Sequence, residues 1–311
     1  MSAKRLPNTL LEAIRYFADL DVATEYVAKL RWPNGPVCPR CGSVEHSYLT
    51  TRRIWKCKAC KRQFSVKLGT IFEDSPLGLD KWLPAVWLAA NSKNGISSHE
   101  LARALGVTQK SAWFMLHRIR LAMRSGSFDL LTGTVEVDET YIGGKARNMH
   151  KSDRLAKFGG KPGHPTVNKA AVIGMVERGG KIRAHVLDDT KGRTLQSYVR
   201  DAVDPGASVY TDALLAYAGL SDDFDHRTVD HAVKYVDGQV HTNVIENFWS
   251  LLKRGLHGTY ISVRPFHLYR YLDERMFTFN ERDLTDAERF DKVLSRAADH
   301  RLTFAQATGK V

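Results

Sequence analysis

The sequence predicts a multidomain α+β protein: N-terminal helices with a metal-stabilised ribbon, a helix-turn-helix, and then a mixed sheet flanked by helices. Three observations carry this expectation. All four cysteines fall in two C-x-x-C pairs between residues 38 and 60. Two short amphipathic segments then meet at an A-L-G-V turn. From residue 131 onward the texture changes to alternating apolar and polar runs punctuated by Gly-Gly. Charge divides at the same place: residues 1–130 carry 20 Lys/Arg against 10 Asp/Glu, and residues 131–311 carry 26 against 24. A basic front on a near-neutral back suggests a polyanion-binding module, with nucleic acid as the expected polyanion.

The first segment, residues 1–34, has helical apolar spacing over Leu10–Trp32 and predicts two short helices packed on the ribbon. The ribbon itself is assigned to residues 35–70. Cys38, Cys41, Cys57 and Cys60 form CPRC, fifteen residues, then CKAC. Two such knuckles can set four thiolates tetrahedrally around one structural Zn²⁺. Two disulfides are the alternative, disfavoured because nothing marks the chain as secreted. Basic side chains crowd this stretch, among them Arg52, Arg53, Lys58 and Arg62. With Trp55 and Phe64 between them they suggest a nucleic-acid-facing surface, or cations that offset the charge of a Zn(Cys)₄ centre.

Residues 78–127 are assigned to the helix-turn-helix. Ser97 or Ser98 suits an N-cap, Leu101, Ala102 and Leu105 line one face, and Gly106-Val107 makes the turn. Thr108 then caps a second helix carrying Ala112, Met115, Leu116 and Ile119. On that reading Gln109, Lys110, Trp113, His117, Arg118 and Arg120 lie on or near the exposed recognition helix. An ordinary αα-hairpin is the plainer alternative.

Residues 131–282 are assigned to the back domain. TGTVEVDETYIGGK alternates and reads as a strand with Asp138 near its middle. The polar stretch 145–169, with seven Lys/Arg and one Asp, is expected as a mobile loop over the site. A hairpin follows with Arg178-Gly179-Gly180 at its turn, then a helix, then a strand ending at Asp212, a mixed segment, and the helix HTNVIENFWSLLKR. Asp188 and Asp189 read as a strand-end turn. The order strand, strand, strand, helix, strand, helix is that of a ribonuclease-H-like fold. There the first and fourth strands lie side by side, so Asp138 and Asp212 can converge, and a helix packed on the sheet can add Glu246.

Three acids from distant parts of the chain suit hard cations. Two Mg²⁺ (or Mn²⁺) about 4 Å apart can stabilise both ends of an in-line phosphoryl displacement. Alternation places Glu136, Asp138 and Thr140 on one strand face and Glu139 on the other, so Glu136 and Glu139 remain competing ligands. In the last helix Asn243 and Glu246 have capping-box spacing, and Ile245, Phe248, Trp249 and Leu252 supply a buried face. Asn243, Glu246, Ser250 and Lys253 form a polar stripe. Residues 283–311 are charged and weakly patterned, expected as one helix and a loose tail.

The zinc ribbon, the helix-turn-helix, VEVDETYIGGK, VYTDALLAY, HTNVIENFWSLLKRGLHGTY and HLYRYLDERMFTFNER, in that order, resemble bacterial insertion-sequence transposases related to the Merlin group. The resemblance covers roughly residues 10–285. It implies a DDE-type transposase that binds terminal inverted repeats, cuts at element ends and joins the freed 3′-hydroxyls to target DNA. It further implies catalytic roles for Asp138, Asp212 and Glu246, with Lys253 as the basic residue two turns beyond the third acid. Asn243 is the alternative ligand, because some relatives carry a non-acidic residue at the third position. The expected partners are double-stranded DNA, as transposon ends and target, and further copies of the chain, at least a dimer on DNA. The apolar runs are too short to span a bilayer and the N-terminus lacks a signal-peptide pattern, so a cytoplasmic, DNA-associated protein is expected. A catalytically inactive DNA-binding regulator derived from such an enzyme is the alternative. A zinc-ribbon transcription or RNA-binding protein would leave the three acids unexplained.

Overall fold

The computed structural model describes residues 6–124, 129–144, 148–158, 169–212, 215–229, 241–298 and 300–310. The chain forms two units, one of residues 1–124 with 281–311 and one of residues 125–280.

The first unit opens with α1 (Leu10–Phe17) and α2 (Leu20–Arg31). Thr9 and Glu12 close a capping box on α1, and Asp19 caps α2 through the Asp21 and Val22 amides. The ribbon is an antiparallel sheet of β1 (His46–Leu49), β2 (Ile54–Cys57) and β3 (Gln63–Phe64). Then come α3 (Leu79–Asn91), α4 (Ser98–Leu105) and α5 (Gln109–Met123). Ser97, not Ser98, is the cap of α4, in a capping box with Glu100. Gly106 ends that helix in the left-handed region at φ 63°, where a side chain would be strained.

The second unit holds β4 (Thr134–Ile142), α6 (Lys151–Phe158), β5 (Ala170–Glu177), β6 (Ile182–Leu187), α7 (Gly192–Ala202), β7 (Ser208–Asp212), β8 (Asp225–Val229), α8 (Asn243–Gly255) and α9 (Leu268–Asn280). Its five strands run in the order β6-β5-β4-β7-β8. The β4, β5 and β6 pairings are antiparallel; β7 joins β4, and β8 joins β7, in parallel. First and fourth strands are therefore neighbours in a mixed sheet, as the element order predicts. One sheet face buries Val135, Val137, Ile173 and Met175 against Leu195 and Val199 of α7 and against Tyr217 and Leu220. The other buries Val172 and Val176 against Ile245, Phe248, Trp249 and Leu252 of α8 and Leu268 and Leu272 of α9.

Two segments differ from expectation. The polar stretch expected as a loop over 145–169 contains α6; its residues 145–147 and 159–168 lie outside those described. Residues 283–311 are expected as one helix and a loose tail, but they form α10 (Asp286–Ser295) and α11 (Phe304–Thr308) and cluster with the first unit. In α10, Phe290, Val293 and Leu294 are buried, and the Phe290 ring lies against Phe17, Tyr26 and Trp87. Only three of its ten residues are buried apolar ones, a narrow stripe, which explains why its periodicity is faint.

Candidate active site and zinc cluster

In the ribbon the four cysteine sulfurs all lie within 4.8 Å of one another. Cys38 Sγ is 3.8 Å from Cys60 Sγ, and Cys41 Sγ is 3.6 Å from Cys57 Sγ. A tetrahedron with Zn–S bonds of about 2.3 Å has edges of about 3.8 Å, so the cluster fits Zn²⁺. Each knuckle ends in a left-handed residue just after its second cysteine, Gly42 at φ 72° and Lys61 at φ 61°. Trp55 and Phe64 are buried and stack on each other, with Trp32 edge-on to both. These rings form the ribbon's own core, so they are not an exposed platform for bases. Arg52, Lys58 and Arg62 are exposed, whereas Arg53 is half-buried and pairs with Asp21 at 2.5 Å.

The second helix of the helix-turn-helix presents less surface than its sequence suggests. Gln109 and Lys110 are exposed and Trp113 is half-buried. His117, Arg118 and Arg120, expected at the recognition surface, are buried. Arg118 donates to the carbonyls of Ile71, Glu73 and Leu302 and lies over the Phe114 ring, so its charge is spent inside the unit. Phe304 of α11 packs on Phe114, and Lys110 lies over the Phe304 ring at 4.8 Å. The C-terminal segment thus covers the 110–114–118 face of α5.

In the second unit, Asp138 lies on β4 and Asp212 ends β7. The parallel register pairs Thr134 with Ser208 and Glu136 with Tyr210. Asp138 and Asp212 each stand two residues beyond the last pair of this ladder, on the same face of the sheet as Glu136 and Tyr210. Glu246 projects from the first turns of α8, the helix packed on that face. Burial pushes the Asp138 carboxyl up to about 6, and the charges of Asp212 and Glu246 add to the rise, while hydrogen bonds from the Glu139 backbone and from Trp249 oppose it. Like charges close to a half-buried carboxylate are what a divalent cation relieves, and carboxylate oxygens suit a hard one such as Mg²⁺. Among the described residues, no group of three carboxylates is gathered as tightly as the cysteine sulfurs. Glu139 points into the opposite face, where burial pushes it up to about 7.

The α8 stripe of Asn243, Glu246, Ser250 and Lys253 is exposed, and Ile245, Phe248, Trp249 and Leu252 are buried. The helix is not capped as its sequence suggests. Asn243 is its first residue, Thr242 is the N-cap, and no side chain of the cap bonds the helix amides. The carboxylate of Glu246 accepts the Thr242 hydroxyl at 3.3 Å. Instead Glu136, fully buried on β4, accepts the amides of Val244 (2.8 Å) and Ile245 (3.1 Å) on Oε2. Its Oε1 accepts Arg178 Nε at 2.8 Å and lies 3.3 Å from His241 Nδ1. Arg178 also donates to the His241 carbonyl and lies over the Tyr210 ring. A second tie runs from Trp249, whose indole N–H donates to Asp138 Oδ2 at 2.9 Å. Gly174, the cross-strand partner of Asp138, leaves room for that indole: a Cβ there would stand 2.6 Å from its ring carbons.

Glu136 was legible only as a competing ligand, from its place two residues before Asp138. Arg178 read as a turn residue, and Trp249 as core alone. Asp189 accepts the Lys191 amide and the Thr194 hydroxyl, a turn that opens α7.

Comparison with known proteins agrees with this architecture. The ISXO2-like transposase domain matches residues 130–280, and the transposase zinc-ribbon domain matches residues 20–63. A Halobacterium salinarum protein described as an uncharacterized protein in transposable element ISH50 is 30% identical over 256 residues, covering 78% of this chain and 85% of that protein. An uncharacterized transposase-like protein of Haemophilus influenzae is 29% identical over 105 residues, covering 33% of this chain and 85% of that protein. Among the described residues no helix is long and apolar enough to cross a membrane. With the zinc ribbon in front and the mixed-sheet domain behind it, the chain belongs to the ISXO2-like transposase family.

Proposed function

We propose that the chain is a DDE-type transposase that binds the terminal inverted repeats of an insertion sequence, cleaves at its ends and transfers the 3′-ends to target DNA, acting as a dimer or larger assembly on DNA. What supports this reading is that Asp138 on β4 and Asp212 on the adjacent β7 share a sheet face under the helix that carries Glu246, close enough that both charges add to the rise, chiefly from burial, of the Asp138 carboxyl to about 6. Asp138 and Asp212 would hold two Mg²⁺ between them, with Glu246 completing the set and Asn243 as its alternative. When bound, the metal pair stabilises charge on the attacking and leaving oxygens of an in-line displacement. The Trp249 N–H holds Oδ2 of Asp138, which helps fix the orientation of that carboxylate. Lys253, two helical turns beyond Glu246, or about 10 Å along the axis, is suited to a DNA phosphate. Zinc held by Cys38, Cys41, Cys57 and Cys60 stabilises the ribbon and takes no part in the chemistry. Arg52, Lys58, Arg62, Gln109 and Lys110 are the exposed members of the expected DNA-binding set.

A strand-transfer assay with the cognate element ends and Mg²⁺ tests the reading. Asp138→Ala and Asp212→Ala should abolish cleavage while end binding survives. A wild-type chain that binds ends without cutting them would favour the inactive-regulator alternative. Loss of binding together with cleavage, in folded variants, would refute the roles given to the two acids.

A further inference from the structure

Glu136 sits in the same strand as Asp138, on the same face, and is fully buried, yet its contacts run to the first amides of α8, to Arg178 and to His241 rather than to the carboxylate cluster. A buried carboxylate needs full compensation. Here one oxygen takes two amides of the first turn of α8, and the other takes Arg178 and meets His241. The amide of Asn243 approaches His241 Nδ1 at 3.4 Å. The first three amides of α8, which no intrahelical carbonyl can satisfy, are therefore all served by this cluster. Arg178 braces it from the other side by lying over Tyr210, the β7 residue level with Glu136. The clamp thus joins β4, β7 and the α8 N-terminus one residue pair below the level of Asp138 and Asp212.

We propose that Glu136 is a positioning residue: with Arg178 and His241 it fixes the height and rotation of α8, and so where Glu246 stands relative to Asp138 and Asp212. This rests on the metal-site reading given above. Glu246 is one turn into the helix, so any slip of the first turn moves it directly. Trp249, one turn later, would carry the same slip to Asp138 through its indole N–H. Glu136 acts through α8 and is not itself a ligand.

The test uses the full chain with zinc bound, and Mn²⁺ as probe. Free Mn²⁺ is followed by electron paramagnetic resonance, and hydrogen exchange is read at the Val244 and Ile245 amides. Glu136→Gln leaves an amide NH₂ facing the Arg178 guanidinium, so the clamp opens. Loss of such an outer partner typically weakens metal binding by about 10–100-fold, and a loss in that range is expected here together with faster exchange of both amides. Glu136→Gln combined with Arg178→Met removes the donor clash and lets the Gln NH₂ face His241. Mn²⁺ affinity should then return to within about three-fold of wild type, and amide protection with it. A metal ligand cannot be rescued this way, because the carboxylate is still gone. A double variant as weak as the single one, or a single variant with unchanged amide protection, overturns the proposal. If wild type and Asp138→Asn bind Mn²⁺ alike, the metal-site reading fails instead. The clamp then stands or falls on amide exchange alone: loss in the single variant and recovery in the double supports it, and any other pattern refutes it.

Discussion

Replacing Gly174 with alanine should displace Trp249 and loosen the tie between α8 and the sheet. Gly174 lies in β5 opposite Asp138, on backbone that a side chain can adopt, so only space is at stake. The added Cβ would stand 2.6 Å from Trp249 Cη2 and Cζ2 and 2.7 Å from Ile245 Cδ1. Neither neighbour is the loose end of a flexible chain, because both belong to the buried face of α8. Overpacking of this kind costs about 1–3 kcal/mol. If the indole swings away, Asp138 also loses a hydrogen bond of the charged type, worth about 1.5–3 kcal/mol. The second unit should therefore lose about 2.5–6 kcal/mol of unfolding free energy. Urea unfolding read by hydrogen exchange in peptides covering residues 243–255 measures this unit by itself. Trp249→Phe removes the ring atoms that clash, so the pair Gly174→Ala with Trp249→Phe should cost at least about 1 kcal/mol less than the sum of the singles. A Gly174→Ala variant within about 0.5 kcal/mol of wild type, or strictly additive singles, would refute the packing argument.

Further outcomes follow from the first unit. Cys38→Ser should release zinc, measured as metal per chain, and weaken DNA binding; unchanged zinc content would rule out the four-sulfur site. Arg118→Ala should cost about 3 kcal/mol of stability, because it orphans three carbonyls and removes a buried side chain. Lys110→Ala should instead leave stability within about 0.5 kcal/mol and reduce the salt slope of DNA binding by about one unit. The reverse pattern, with Arg118 dispensable for stability, would return it to the DNA-facing set.

Local signals made much of this molecule readable. Alternation in TVEVDETYI fixes which side chains share a face of β4, and S-x-x-E marks the start of α4. The two cysteine pairs lie close in sequence, so their spacing alone defines the cluster. What escaped depends on contacts across long stretches of chain. The carboxylate that receives the α8 amides comes from 108 residues upstream, and local spacing offered the Asn243–Glu246 capping box in its place. The Leu302 carbonyl that holds Arg118 is 184 residues away, on a segment whose own pattern is weak. His117 and Arg118 look like DNA contacts in a basic helix, and only the tertiary packing, which for Arg118 brings in the carbonyls of Ile71, Glu73 and Leu302, reveals them as interior. Glu136 differs from Asp138 by two positions on one strand face, and composition cannot tell a ligand from the residue that anchors the neighbouring helix.

The most direct test is anomalous scattering from Mn²⁺ in crystals of the chain bound to its element-end DNA. Peaks bridging Asp138 and Asp212, with Glu246 in contact and Glu136 still on the α8 amides, are the expected result. Contact from Asn243 in place of Glu246 would revise the third ligand alone. No peak at the two aspartates, or metal held by Glu136 or Glu139 instead, would contradict the assignment of the catalytic site.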